Sequence, residues 1–246
     1  TRGSTATYWD GKTTTKAEEN LVRDSEAISV NGTYWSGGRS TTSLNAATAP
    51  DGTTTATDWQ QASGQTTGGF VSTTNPQPTF TSDDYTWSVY AKSNGKNYFG
   101  IYTYSTGIIG YVWFNLSTGA VGTIGSAVDS ATITSVGNGW YRCTCTRSGT
   151  NANRMGFFLA DNDGNTTVND SGGVYIWGAQ LEQRSSATAY TVTTSSPIVK
   201  YQPTLQTAAS GEARFDHDPV TGESKGLLIE EARTNRRTYS EAFDNA

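Results

Sequence analysis

The chain has 246 residues, with 17 Lys and Arg against 22 Asp and Glu and a formal net charge of −5. Only 34% of it is hydrophobic and 16% charged, yet 11% is aromatic. Low charge with many rings excludes intrinsic disorder. The acidic balance argues against a nucleic-acid binder, which needs clustered Lys and Arg. No apolar run approaches the ~18 residues of a membrane helix, so no membrane insertion is expected.

The composition is made up by about forty threonines and twenty-five serines, with 28 aromatic rings (7 Trp, 13 Tyr, 8 Phe) and 27 glycines. These are residues of strands and turns, so the chain reads as all-β. Residues 1–18 read as a linker or the end of a preceding repeat; their first ten carry no apolar signal-peptide segment. From 19 to 195, strand-like runs alternate with turns at the spacing of an antiparallel sandwich or barrel. The clearest runs are 85–92, 98–104, 110–116, 140–146, 154–160 and 174–182, punctuated by Asn94-Gly95, Ser117-Thr118-Gly119 and Asp163-Gly164. Cys143 and Cys145, the only cysteines, lie two apart in one such run. Their side chains therefore share a face, and bridging them would strain a disulfide, so they read as free thiols suited to folding in a reducing cytosol. Residues 196–246 read as a linker hairpin, turning at Asp218-Pro219-Val220-Thr221-Gly222-Glu223, and the start of a next repeat.

That repeat is visible in the sequence. Asn20-Leu21-Val22-Arg23-Asp24-Ser25-Glu26-Ala27-Ile28 recurs as Asn235-Arg236-Arg237-Thr238-Tyr239-Ser240-Glu241-Ala242-Phe243, with Asn, Ser, Glu and Ala matching at an offset of 215. Upstream, Ala6-Thr7-Tyr8-Trp9-Asp10-Gly11 faces Ala213-Arg214-Phe215-Asp216. A tandem array of about 210-residue units is the simplest account.

Alternation sorts each strand into two faces. Tyr85, Trp87, Val89 and Ala91 oppose Thr86, Ser88, Tyr90 and Lys92; Phe99, Ile101 and Thr103 oppose Tyr98, Tyr102 and Tyr104; Val112, Phe114 and Leu116 oppose Tyr111, Trp113 and Asn115. The first set in each case is a core face. The second places Tyr90, Tyr98, Tyr102, Tyr104, Tyr111 and Trp113 among polar neighbours, including Lys92 and Asn115. Rings beside amide, hydroxyl and ammonium groups form a surface suited to stacking on sugar C–H faces and bonding sugar hydroxyls. The same rings would equally serve packing under a loop or against a neighbouring unit. Both readings stand.

Asp161-Asn162-Asp163-Gly164-Asn165 with Asp170 offers hard oxygens at alternate positions, so Asp161, Asp163, Asn165 and Asp170 are candidate ligands for a structural calcium. No other cofactor is indicated, and acidic Asn/Gly-rich turns usually form without metal. Catalysis is not expected. His217 is the only histidine, the adjacent pairs Asp83-Asp84 and Glu230-Glu231 point opposite ways along an extended chain, and no nucleophile elbow or phosphate loop occurs.

Several stretches resemble known modules. Glu19-Asn20-Leu21-Val22-Arg23-Asp24-Ser25-Glu26, with Trp35, looks like the first strand of jelly-roll carbohydrate-binding modules, and Val174-Tyr175-Ile176-Trp177-Gly178-Ala179-Gln180-Leu181-Glu182 like their last. Asn45-Ala46-Ala47-Thr48-Ala49-Pro50-Asp51-Gly52-Thr53, Trp87-Ser88-Val89-Tyr90-Ala91-Lys92, Gly139-Trp140-Tyr141-Arg142 and the end of the last-strand run resemble a repeat of bacteriophage virion and tail-fibre proteins. Gly226-Leu227-Leu228-Ile229-Glu230-Glu231-Ala232-Arg233-Thr234-Asn235 resembles the linker between such domains. The resemblance implies a jelly-roll β-sandwich on a virion or outside the cell. It would be a non-catalytic module attaching to a cell-surface polysaccharide, or a ligand-free spacer, beside neighbouring repeats of the same chain. Those modules often hold a calcium between the first and last strands. Glu26 fits its first ligand, but Ala179-Gln180 replaces the acidic residues expected in the last strand.

Overall fold

The structure is a computed structural model that describes residues 6–74, 81, 83–105, 108–148, 152–169, 171–218 and 220–228. Residues 235–243, the second copy of the repeated motif, lie outside the described residues. The chain divides into two units, Glu18–Lys200 and the pair of segments Thr1–Ala17 and Tyr201–Ala246. Among the described residues no helix is long and apolar enough to cross a membrane.

The larger unit is an antiparallel β-sandwich. Its strands are β2 (Trp35–Gly38), β3 (Ser40–Ala47), β4 (Ala56–Gln61), β5 (Phe70–Thr73), β6 (Tyr85–Asn94), β7 (Tyr98–Ser105), β8 (Ile108–Asn115), β9 (Ala120–Ile124), β10 (Ser130–Gly137), β11 (Trp140–Arg147), β12 (Ala152–Ala160) and β13 (Gly173–Glu182). One six-stranded sheet has the order β10-β11-β6-β13-β4-β3, the other β2-β5-β12-β7-β8-β9. The remaining strands are β1 (Ala6–Asn20), β14 (Ile198–Ala208), β15 (Phe215–His217) and β16 (Ser224–Leu227), with β1 beside β14 and β15 beside β16. In the smaller unit the Trp9 and His217 rings meet edge to face, their centroids 6.2 Å apart. Asp218 closes the β15–β16 turn, accepting from the Val220 and Thr221 amides at 2.9 and 3.0 Å.

Period-two alternation builds the core. Trp87, Val89 and Ala91 of β6, Cys143 and Cys145 of β11, and Val174 and Ile176 of β13 meet Phe99, Ile101, Val112, Phe114, Phe157 and Leu159 of the other sheet, all fully buried. The Trp59 indole of β4 meets Phe99 of β7 edge-on at 6.4 Å, which joins the sheets directly. Both thiols are free. Burial pushes both up from the ordinary cysteine range, so they stay protonated and act as small apolar side chains.

β13 keeps its inner face filled through a change of phase. A bulge between Trp177 and Gln180 sets two residues against one on β6. Inward positions then move from Val174 and Ile176 to Ala179 and Leu181, while Trp177 turns outward. Gly178 makes the bulge with a φ of 63° and lies against the Tyr90 ring, where a Cβ would sit 3.0 Å from it.

The Asn20 motif departs from the sequence expectation. It is not a first strand: β1 ends at Asn20, and the chain then bends through 21–26. The reason is the Asn20 amide, fully buried and hydrogen-bonded at every polar position. Its Nδ2 donates to the Ala179 and Thr191 carbonyls at 3.0 and 2.7 Å. Its Oδ1 accepts from the Val22 and Leu181 amides, both at 3.2 Å. One side chain thus replaces a stretch of ladder and fastens 20–25 between β13 and the returning segment at 191–194. Asn20→Ala leaves these backbone groups without partners and is expected to cost roughly 2–4 kcal/mol in urea unfolding. Asn20→Asp, which keeps the shape but loses both donors, should cost nearly as much; an unchanged midpoint for either would refute the role.

Candidate functional site

The sequence-predicted rings do not share one face. Tyr90 and Lys92 belong to β6 and project from the outer side of one sheet. Tyr98, Tyr102, Tyr104, Tyr111, Trp113 and Asn115 belong to β7 and β8 and project from the outer side of the other. Alternation separates the two faces of each strand correctly, but it carries no information on which sheet a strand joins.

On the first outer face the rings are structural. Trp140 and Trp177 are nearly inaccessible under the loop between β3 and β4. Their indole N–H groups donate to the Thr48 carbonyl at 3.2 Å and the Thr55 hydroxyl at 2.8 Å. Tyr90 packs on Trp177 at 5.2 Å and Tyr190 at 6.1 Å, with the Arg142 guanidinium 5.5 Å from its ring centre. A hollow of about 480 Å³ beside Tyr90 is lined mainly by threonine and serine. Its threonine hydroxyls are largely paired across strands, Thr132 with Thr144 at 2.6 Å and Thr86 with Thr146 at 2.8 Å.

The second outer face holds the candidate site. Register aligns Phe70, Phe158, Gly100 and Trp113 in one row across β5, β12, β7 and β8; Ser72, Gly156, Tyr102 and Tyr111 in the next; and Arg154, Tyr104 and Ile109 in a third. The glycines are required. A Cβ at Gly100 would run into the Phe158 ring, and one at Gly156 into the Tyr102 ring. Each ring therefore lies across the bare backbone of its neighbour. Together they floor a groove of about 300 Å³ bounded by Phe70, Tyr102, Tyr104, Tyr111 and Phe158. Arg39, Thr67, Ile109, Arg154 and Thr166 complete its rim.

Of the sequence-predicted residues, Tyr102, Tyr104 and Tyr111 come together here. Trp113 is 6% exposed, wedged against Tyr111 and Phe158 at 5.5 and 5.3 Å, and its indole N–H donates to the Asn165 carbonyl at 3.2 Å. It is a foundation for the groove and not a platform. Asn115 donates to the Tyr98 hydroxyl at 3.1 Å and accepts from Ser117 and Thr118, holding the turn to β9.

The loop after β12 is organised by hydrogen bonds within itself and to neighbouring segments. Asp161 pairs with the buried Lys96 ammonium and also accepts from the Asn169 amide at 2.6 Å. Asp163 accepts from the Thr123 amide and hydroxyl at 2.7 and 3.2 Å, and Asn165 from the Thr167 amide at 2.8 Å. Asp170 lies outside the described residues. Among the described residues, no group of three or more His, Cys, Asp or Glu side chains is placed to hold a metal ion. Glu26 is similarly committed elsewhere: burial, then the Asp51 charge, raise its carboxyl above the ordinary range, against hydrogen bonds from Thr55 and Tyr190. Gln180 donates to Glu182 at 2.8 Å and to the Ala189 carbonyl at 3.1 Å, and accepts from the Thr191 amide at 2.7 Å.

No protein-family model matches the chain, and no curated protein matches it. The site therefore rests on its geometry. Burial is the leading influence on the Tyr102 hydroxyl and raises it, while a Ser72 hydrogen bond and the charges of Arg154 and Arg39 act in the opposite direction. The phenol stays protonated at neutral pH, able both to donate and to accept.

Sequence reading missed Phe70, Phe158, Arg39 and Arg154. Phe158 and Arg154 fall in a recognised run, 154–160, whose outward set was open to the same alternation. Phe70 opens a four-residue strand and Arg39 is the bend between β2 and β3, places with no apolar pattern of their own.

Two results are expected. Trp113→Ala should cost about 3–5 kcal/mol of stability, read by denaturant unfolding, as truncation of a buried ring does; a cost below about 1 kcal/mol would show the ring to be a surface group. For Glu26, a raised native carboxyl means its stabilising contribution is present at low pH and is lost as pH rises through the native value. Glu26→Gln should therefore raise the thermal midpoint at pH 7, with the gain shrinking below the ordinary glutamate range.

Proposed function

We propose that this chain is a non-catalytic carbohydrate-binding module of a phage virion or tail-fibre protein, and that the groove over Tyr102, Tyr104 and Tyr111 holds a cell-surface polysaccharide. The observation that carries this is the cluster of half-buried tyrosines beside Phe70 and Phe158, with Tyr102 laid across the bare backbone of Gly156 and with Thr67, Thr166 and the Tyr102 hydroxyl at hand. Flat rings stack on the apolar faces of sugars, and the polar edge bonds their hydroxyls. Among the described residues, no carboxylate lines the groove. An acid–base couple for glycoside hydrolysis would need two, which supports a non-catalytic role.

The sheet orders support a jelly-roll reading of the sandwich. In the runs β11-β6-β13-β4 and β5-β12-β7-β8, each successive strand crosses to the other sheet except at the β7–β8 hairpin, in the manner of two interlocked Greek keys. The virion setting is supported by the motif resemblance and by the repeated Asn20 motif. In a tandem array, weak single grooves would add through avidity.

A ligand-free spacer is the second reading. It is favoured by Trp113, Trp140 and Trp177, all buried under loops.

Tyr111→Ala should weaken polysaccharide binding roughly tenfold, the worth of one stacked ring. Trp113 lies 5.5 Å from Tyr111, so indole fluorescence reports occupancy. If no polysaccharide in a broad panel perturbs that fluorescence or gives heat in calorimetry, the spacer reading takes its place.

A further inference from the structure

The groove is positively charged in a negatively charged chain. Arg39 and Arg154 are exposed on its rim, its lining contains no acidic residue among the described residues, and the whole chain carries −5. Neither guanidinium is paired with a carboxylate among the described residues. Instead, each lies near a groove ring, Arg39 at 4.8 Å from the Phe70 centre and Arg154 at 5.8 Å from that of Tyr104. A guanidinium has five N–H donors. The one side-chain hydrogen bond of Arg39 among the described residues is from Nε to the Gly68 carbonyl at 3.2 Å.

Backbone geometry singles out Arg39 further. Four described non-glycine residues have positive φ: Asp24, Asn45, Asn138 and Arg39, the last at 56°. Asp and Asn enter this region readily; a long side chain does so at a cost of about 1 kcal/mol or more. The conformation is held from outside, because the Arg39 carbonyl accepts from the Ala62 amide and from Gln61 Nε2, both at 3.0 Å. Glycine would meet the backbone requirement without strain. Arginine at this position, with its guanidinium on the groove rim, therefore carries a backbone cost that contacts of the side chain must offset.

We propose that the groove selects an acidic polysaccharide, one whose sugars carry carboxylates, with Arg39 and Arg154 binding the carboxylates while the sugar rings stack on Tyr102 and Tyr111. This deepens the glycan-binding reading and rests on it. Planar guanidinium matches carboxylate in bidentate fashion, and such charge-assisted bonds are strong where an aromatic wall excludes water. A neutral glycan would leave both cations without counter-charge.

The test is calorimetry with the whole chain against polygalacturonate, hyaluronan and alginate as carboxylated probes. Fully methyl-esterified pectin, dextran and xylan serve as neutral probes, and dextran sulfate as a sulfated one. At least one carboxylated polymer should bind at least tenfold more tightly than every neutral one, and its affinity should fall as NaCl rises from 50 to 500 mM. Arg39→Gly should weaken that binding about tenfold while keeping or raising the unfolding midpoint, since glycine relieves the strained φ. Arg154→Gln should weaken it comparably, whereas Arg142→Gln, the same charge change on the opposite sheet, should not. Neutral polymers binding as tightly and without salt dependence would overturn the acidic assignment and leave glycan binding standing. Binding of dextran sulfate alone would overturn the carboxylate. Absence of binding to every probe would remove the glycan reading and this inference together.

Discussion

Everything in the sandwich follows from the two-residue period of the extended chain. Each strand must give one set of side chains to the space between the sheets and the other set to the outside. The inner set here is unusually ring-rich: Trp35, Trp59, Trp87, Tyr85, Phe99, Phe114 and Phe157 are all fully buried. Their volume sets the spacing of the layers, and any slip of register would exchange this core for hydroxyls. Where one phase cannot serve a whole strand, the bulge of β13 corrects it, so a glycine in the left-handed region is part of the core specification.

The outer sets are also rich in rings, and these need cover. Both sheets solve this similarly. A loop folds over the indoles and takes up their N–H groups, 48–55 over Trp140 and Trp177, and 161–169 over Trp113. The cover is incomplete where Tyr102, Tyr104 and Tyr111 meet Phe70 and Phe158. Lys96 and Asp161 help fix the second loop, whose Thr166 stands on the rim of the groove.

Much of this was legible in the sequence because it is local. The six apolar runs are strands β6, β7, β8, β11, β12 and β13, and the inner faces of β6, β7 and β8 are those read from alternation. β10, with Ser130, Thr132 and Thr134, was not legible, since a polar edge strand leaves no period for hydrophobicity to mark. Which sheet a strand joins was also hidden, because pairing is a long-range choice. This is why Tyr90 and Lys92 lie on the face away from the groove. Arg39 was hidden for a third reason: nothing in the sequence Gly38-Arg39-Ser40 announces a left-handed backbone at an arginine. The Asn20 motif was visible as a repeat, but its role as a bridge to β13 was visible only once 179–181 and 191 were placed beside it.

The glycines under the groove have a consequence for its mechanics. Tyr102 and Phe158 lie across Gly156 and Gly100 like tiles on a bare board, each in the space a neighbour's Cβ would fill and each held at its side by Tyr111, at 6.3 and 5.4 Å. Tiles laid this way have little rotamer freedom left to surrender when something settles on them, so the surface meets a flat ligand already in its final form. The same arrangement makes the floor thin: only the ring's own thickness separates an occupant from peptide backbone. A single methyl group at either glycine would lift a tile and close the groove from beneath, without touching any residue that faces the solvent.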